Sequence, residues 1–169
     1  MDNIQKIMDI MEQIEYGFLD NNGNNIFDNV DLEYTFNKVY YIMSPEELLN
    51  KKIGVCWDQV ELARYWLTTH GYMVYTFFVK IRNHTIMIYE SNNKFYWFER
   101  TFKPLNGIRE FSSLNAALKF IRKAEAIVNK VEPSEVDIFK YDEVVFGSGF
   151  YTFRDRIIQD DGKKLILNK

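Results

Sequence analysis

Residues 54–71, GVCWDQVELARYWLTTHG, decide the fold. Gly54 breaks the chain just before Cys56, and Val60, Ala63, Tyr65, Trp66 and Leu67 then follow as the buried side of a helix that stops at His70-Gly71. Cys56 therefore falls at a helix N-terminus. Downstream, YMVYTFFVKI over residues 72–81 reads as a strand, and residues 84–90 and 95–102 read as two more, joined by an Asn92-Asn93 turn. Upstream, Ser44-Pro45-Glu46-Glu47 opens a short helix in capping-box style that ends near Lys51 or Lys52. The expected architecture is α+β, an antiparallel sheet packed against the N-terminal-half helix that bears the cysteine, with further helices flanking it.

Two of those flanking helices are periodic. Ile4, Ile7, Met8, Met11 and Ile14 mark residues 3–15 as one, and Leu114, Ala117, Leu118, Ile121, Ala124 and Val128 mark residues 113–130 as the other. Asn and Gly dominate from Asp20 to Asn25, where Asp20, Asn22 and Asn24 alternate as in a calcium loop; Gly23 is misplaced and no bidentate Glu follows, so a plain turn is expected. After Glu132 the aromatic, glycine-containing sequence reads as one or two short strands and a frayed basic tail.

At 169 residues, 47% hydrophobic and 17% aromatic, the chain suits one domain over 1–169. Its core is expected at about residues 40–120. Twenty-one basic against twenty-four acidic residues give a net charge of −3, which argues against nucleic acid or an anionic membrane as partner. The start, MDNIQKIMDI, lacks the charged-then-apolar pattern of a secretory signal, and no window is apolar enough for a membrane span, so a soluble, cytoplasmic protein is expected. One cysteine cannot form an internal disulfide, which fits a reducing compartment. That thiol is either a small core hydrophobe or a reactive group.

The reactive reading needs a base, and the chain has two histidines. His70 lies at the far end of the cysteine helix, about 20 Å from Cys56 at 1.5 Å per residue, and suits a C-cap role. His84 opens the next strand but one. With Asn92 and Asn93 as turn residues, Ile86 faces Glu99 and His84 faces Thr101, so Glu99 lies diagonal to His84, within reach of its ring. By period two, His84, Ile86, Ile88, Phe95, Trp97, Glu99 and Thr101 share one face. Glu90 has the same parity but lies about 20 Å along the strand. Cys56, His84 and Glu99 thus fit the roles of nucleophile, base and orienting acid. The amides of Cys56 and Trp57 lie near any oxyanion formed on attack at a carbonyl. Trp57 and Trp97 could also line an acyl or peptide groove, with core packing as the competing role of both rings.

Gly54-Val55-Cys56-Trp57, followed by Ala63 and a closing Gly71, resembles the cysteine motif of transglutaminase-like proteins, and the Cys-Trp step also occurs in papain-like peptidases. His84-Thr85 and Trp97-Phe98-Glu99 resemble the histidine and acid motifs, with glutamate where aspartate is usual. VCWDQVELARYWL, HTIMIYE, KFYWFERTF and GIREF are similar to uncharacterised transglutaminase-like proteins of Gram-positive bacteria and their phages. The resemblance implies Cys56 as acyl acceptor, His84 as base and acid, and Glu99 as orienter, in a peptidase, amidase or acyltransferase working on a protein or peptide without a cofactor. A second oxyanion donor is expected among Tyr40, Tyr41 and Asn50. The same fold retained as a peptide-binding module with an idle triad is the alternative. Zinc held by Cys56, His84 and Glu99 lacks the paired ligand spacing of a zinc site.

Overall fold

The structure, a computed structural model, describes residues 2–161 and 163–164. The remainder of the expected basic tail, 165–169, lies outside the described residues. The elements run α1 (Asn3–Met11), β1 (Glu15–Tyr16), α2 (Leu32–Lys38), α3 (Pro45–Lys51), β2 (Ile53–Gly54), α4 (Cys56–Thr69), β3 (Met73–Val79), β4 (His84–Ser91), β5 (Lys94–Glu99), β6 (Gly107–Phe111), α5 (Leu114–Asn129), β7 (Ile138–Tyr141), α6 (Phe150–Arg156) and β8 (Lys163–Lys164). Strands β3 to β8 form one sheet in the order β6-β5-β4-β3-β7-β8, every neighbour antiparallel. The two-residue strands β1 and β2 pair in parallel apart from it.

Local chemistry sets the element ends. Ser44 Oγ accepts the Glu47 amide at the start of α3, with Pro45 in the first turn, and Lys52 closes that helix in the left-handed conformation at φ 57°. Asn92 and Asn93, at φ 51° and 58°, form a two-residue hairpin turn, and the register that follows pairs Ser91 with Lys94 and Met87 with Phe98. The N-terminal helix is shorter than the periodicity predicts. It ends at Met11, and the amides of Gln13 and Ile14 bond to the Ile10 and Met11 carbonyls, tightening the last turn so that the chain leaves extended as β1 while Ile14 stays buried. The strand expected over 95–102 stops at Glu99, because the chain turns through Lys103–Leu105 to return as β6.

Helices cover both faces of the sheet. On one, Ala63 and Leu67 of α4, with Ile7 and Met11 of α1, bury Met87, Tyr89 and Phe98. On the other, Ala117, Leu118 and Ile121 of α5 bury Ile86, Ile88 and Trp97. A third cluster sets Trp57 between Phe78 and the α6 rings Phe150 and Phe153. None of the described helices is long and apolar enough to cross a membrane.

Gly54 sits where this packing leaves no room. A Cβ there would lie 2.6 Å from Leu48 Cδ1 and 3.0 Å from Asp58 Oδ2. Gly54→Ala should destabilise the fold by about 1–3 kcal/mol through overpacking. Urea denaturation checks this, and an unchanged midpoint would show that the contact relaxes without cost.

Candidate active site

Three elements meet at the thiol. Cys56 is the first residue of α4, where backbone amides have no acceptor inside the helix and carry the positive end of its dipole. The chain entering that turn is held by Asp58. Its Oδ2 accepts the Val55 amide at 2.9 Å, and its Oδ1 accepts the Met43 amide at 2.9 Å and the Tyr40 hydroxyl at 3.1 Å. Asn83, at φ 49°, turns the chain into β4 so that His84 is its first residue.

Glu99 is bonded at both oxygens. Oε2 accepts His84 Nε2 at 2.8 Å, while Oε1 accepts the amides of Thr101 and Phe102, each at 3.0 Å, and the Thr101 hydroxyl at 3.2 Å. Four donors fix the carboxylate, and the carboxylate fixes the imidazole ring. With Nε2 taken, Nδ1 is the ring nitrogen left for sulfur. The thiol's polar neighbours are the His84 imidazole, Thr85 and the Tyr16 hydroxyl. The Thr85 hydroxyl beside the thiol is buried and has no hydrogen-bond partner among the described residues. Cys56 is 5% exposed, and His84 and Glu99 are 4% each.

The electrostatics follow from this burial and pairing. Burial disfavours a charge on all three groups. Against it, the bond to His84 and the imidazolium charge, with the donors of Thr85, hold the Cys56 thiol below its ordinary value. For His84, burial is outweighed by the Glu99 charge and the bonds to Cys56 and Glu99, which push the imidazole up to about 10. Glu99 is likewise held down against burial, by the His84 charge and bond, the Phe102 amide and the Arg82 charge. All three directions favour a thiolate beside an imidazolium. Arg82 is itself anchored. Its Nε and a terminal nitrogen bond the two oxygens of buried Glu125 at 2.6 Å each, and its guanidinium lies 3.7 Å over the Phe102 ring.

A match to a family model decides the relationship. Residues 1–128 fit the family described as "Transglutaminase-like domain". The chain belongs to the transglutaminase-like family. Among curated proteins, none matches the sequence.

Within this transglutaminase-like chain the structure departs from the sequence expectations in several places. Period two puts His84 and Glu99 on the face of Ile86, Ile88 and Trp97, but that face packs on α5 and the cysteine helix lies on the other. The three groups meet at the end of the sheet. There the β4–β5 pairs have stopped at Met87 and Phe98, while His84 is still paired with Val79 and Glu99 with Gly107, and Glu99 lines a small gap with Gln59, Val60 and Ala63 of α4. Trp57 and Trp97 are core residues, fully buried beneath α6 and α5 respectively. Of the expected donors, Tyr40 is committed to Asp58, Tyr41 bonds Glu47 and Lys51 at the surface, and Asn50 is exposed on α3. Among the described residues, no three His, Cys, Asp or Glu side chains are grouped to hold a metal.

Two site residues went unnoticed in the sequence. Asp58 has the form of an ordinary acidic residue in a first helical turn, and only its two donors from another segment, Tyr40 and Met43, reveal its role. Tyr16 comes from β1, and its hydroxyl is an electrostatic neighbour of the Cys56 sulfur, while the residue keeps 37% of its surface exposed.

Asp58 gives the fold a pH dependence. Burial, opposed by the Met43 and Val55 amides and the Tyr40 hydroxyl, raises its carboxyl from 3.8 to about 7. A raised carboxyl contributes stability that is complete below 3.8 and is lost as pH climbs through about 7. Buried Glu61, raised to about 7 against Arg64, acts in the same direction. Asp58→Asn should therefore be less stable than the parent, having lost an acceptor, but should lose less further stability between about pH 5 and pH 8. Thermal unfolding across that range checks it; parallel curves would remove Asp58 as a source of the slope.

Proposed function

We propose that this transglutaminase-like chain is a thiol-dependent acyl-transfer enzyme, a cysteine peptidase, amidase or acyltransferase acting on a protein or peptide. The observation that carries the reading is the 2.8 Å bond from Glu99 to His84, whose other nitrogen is left for the Cys56 thiol at a helix start. A buried acid bonded by four donors and aimed at an imidazole costs conformational freedom and desolvation that a bland core would avoid.

The chemistry runs through these residues. The Cys56 thiolate adds to an amide carbonyl carbon, forming the C–S bond and moving the carbonyl π pair onto oxygen. The Cys56 amide donates to that oxyanion. Collapse breaks the C–N bond as the departing nitrogen takes the proton on His84 Nδ1, leaving a thioester. His84 then removes a proton from water, or from an amine, as that nucleophile attacks; the C–S bond breaks and the thiolate returns. Glu99 stays ionised throughout, stabilising each imidazolium and holding Nε2 protonated.

A non-catalytic peptide-binding module is the second reading, favoured by the small exposure of the thiol. Capture separates the two. Incubation with p-nitrophenyl acetate and intact-mass measurement should give a single acetyl adduct mapping to Cys56, formed faster than on a free thiol. Labelling no faster than that of glutathione would favour the binding module.

A further inference from the structure

We propose that Tyr16 is a catalytic residue whose hydroxyl is the second oxyanion donor, beside the Cys56 amide; this rests on the acyl-transfer reading above.

The placement is built by backbone. Tyr16 stands opposite Gly54 in the β1–β2 pair, two residues before the nucleophile. The Glu15 amide donates to the Lys52 carbonyl at 2.8 Å and the Gly17 amide to the Gly54 carbonyl at 3.4 Å, so β1 is tied on both sides of Tyr16 to the strand that leads into Cys56. Asn25 holds the segment from its other side, donating to the Tyr16 carbonyl at 3.0 Å and to Glu15 Oε2 at 3.3 Å. The contact is so close that a Cβ on Gly17 would lie 2.0 Å from Asn25 Oδ1, and Gly17 has a φ of 155°. Perpendicular packing of the Tyr16 ring on Phe27, at 5.1 Å between centroids, fixes where the hydroxyl points.

The register sets Tyr16 beside the turn into Cys56, two residues past its partner Gly54, and its hydroxyl and the sulfur are electrostatic neighbours. A carbonyl carbon bonded to Sγ carries its oxygen one bond further on, within reach of a hydroxyl that already neighbours Sγ and of the helix-start amide. The donors expected from the sequence lie elsewhere: Tyr40 donates to Asp58, Tyr41 to Glu47, and Asn50 is exposed on α3. On attack the carbonyl π pair becomes the oxyanion, which accepts from the Tyr16 hydroxyl and the Cys56 amide without proton transfer. On collapse the pair returns to form the thioester carbonyl, and both donors are released unchanged.

Two reactions of one thiol test this. Alkylation by iodoacetamide proceeds by displacement at a saturated carbon and forms no oxyanion. Acylation by p-nitrophenyl acetate does form one. In the Tyr16→Phe variant, which keeps the ring on Phe27, acylation of Cys56 should fall about 10²-fold while alkylation stays within about twofold of the parent. Equal acylation in parent and variant would overturn the assignment. So would a parallel loss of both reactions, which would make Tyr16 a structural support, or a rise in alkylation, which would make its hydroxyl a cover over the sulfur. A parent protein that acylates no faster than a free thiol would overturn the acyl-transfer reading and this assignment together, whereas a normal parent rate with an unaffected variant overturns this assignment alone.

Discussion

Replacing His84 by alanine is expected to slow iodoacetamide alkylation of Cys56 at about pH 6 by about 10²-fold. Without the imidazolium, burial alone acts on the thiol together with the donors of Thr85, and burial raises it. A thiol with an ordinary value near 9.0 is about 10⁻³ ionised at pH 6, and the greater nucleophilicity of a more basic thiolate recovers part of that factor. The variant should remain folded, because Glu99 keeps its bonds from Thr101 and Phe102. Circular dichroism alongside the alkylation time course would establish this. Equal rates in the folded variant and the parent would mean that the imidazole does not act on the sulfur.

Glu99→Gln is the second large effect. Glutamine matches glutamate in shape and keeps one carbonyl oxygen for the Thr101 and Phe102 amides, so the local backbone should hold. Its amide nitrogen then faces His84 Nε2, where the carboxylate accepted a hydrogen bond. A donor in that place favours the tautomer protonated on Nδ1, the nitrogen that must receive a proton from the attacking nucleophile. It also removes the charge that lifts His84. Acyl turnover should fall by about 10²- to 10⁴-fold with little change in the unfolding midpoint. Steady-state hydrolysis of p-nitrophenyl acetate, measured beside a thermal melt, checks both halves. Unchanged turnover would remove Glu99 from the site.

The pairing of His84 with Glu99 was legible because a two-residue turn fixes register. Once Asn92 and Asn93 are taken as the turn, every later pair follows, and the observed register runs as expected from Ser91–Lys94 to Met87–Phe98. What the turn cannot say is where the ladder ends, and the site lies just past that end. Period two gives parity but not which face a helix will cover: the face of Ile86, Ile88 and Trp97 packs on α5, and the cysteine helix covers the other. Tyr16 was hidden for a different reason: a two-residue strand has no periodicity, and its position depends on Asn25 and Lys52, partners distant enough in sequence to leave no local mark. Helices α2 and α6 were missed because segments such as Phe150–Arg156 carry clustered aromatics without a clean polar face. Strand β6, the motif GIREF, passed without a secondary-structure assignment because five residues at a sheet edge need few apolar positions.

The central claim is that the folded protein holds a thiolate at Cys56 because His84, fixed by Glu99, stands beside it. The ultraviolet difference spectrum between the parent and a Cys56→Ser variant, recorded against pH, measures that thiolate directly. The account predicts thiolate absorbance already present at about pH 6, far below the range in which an ordinary thiol ionises. Absorbance that emerges only near pH 9, with the same midpoint in the His84→Ala variant, would contradict it.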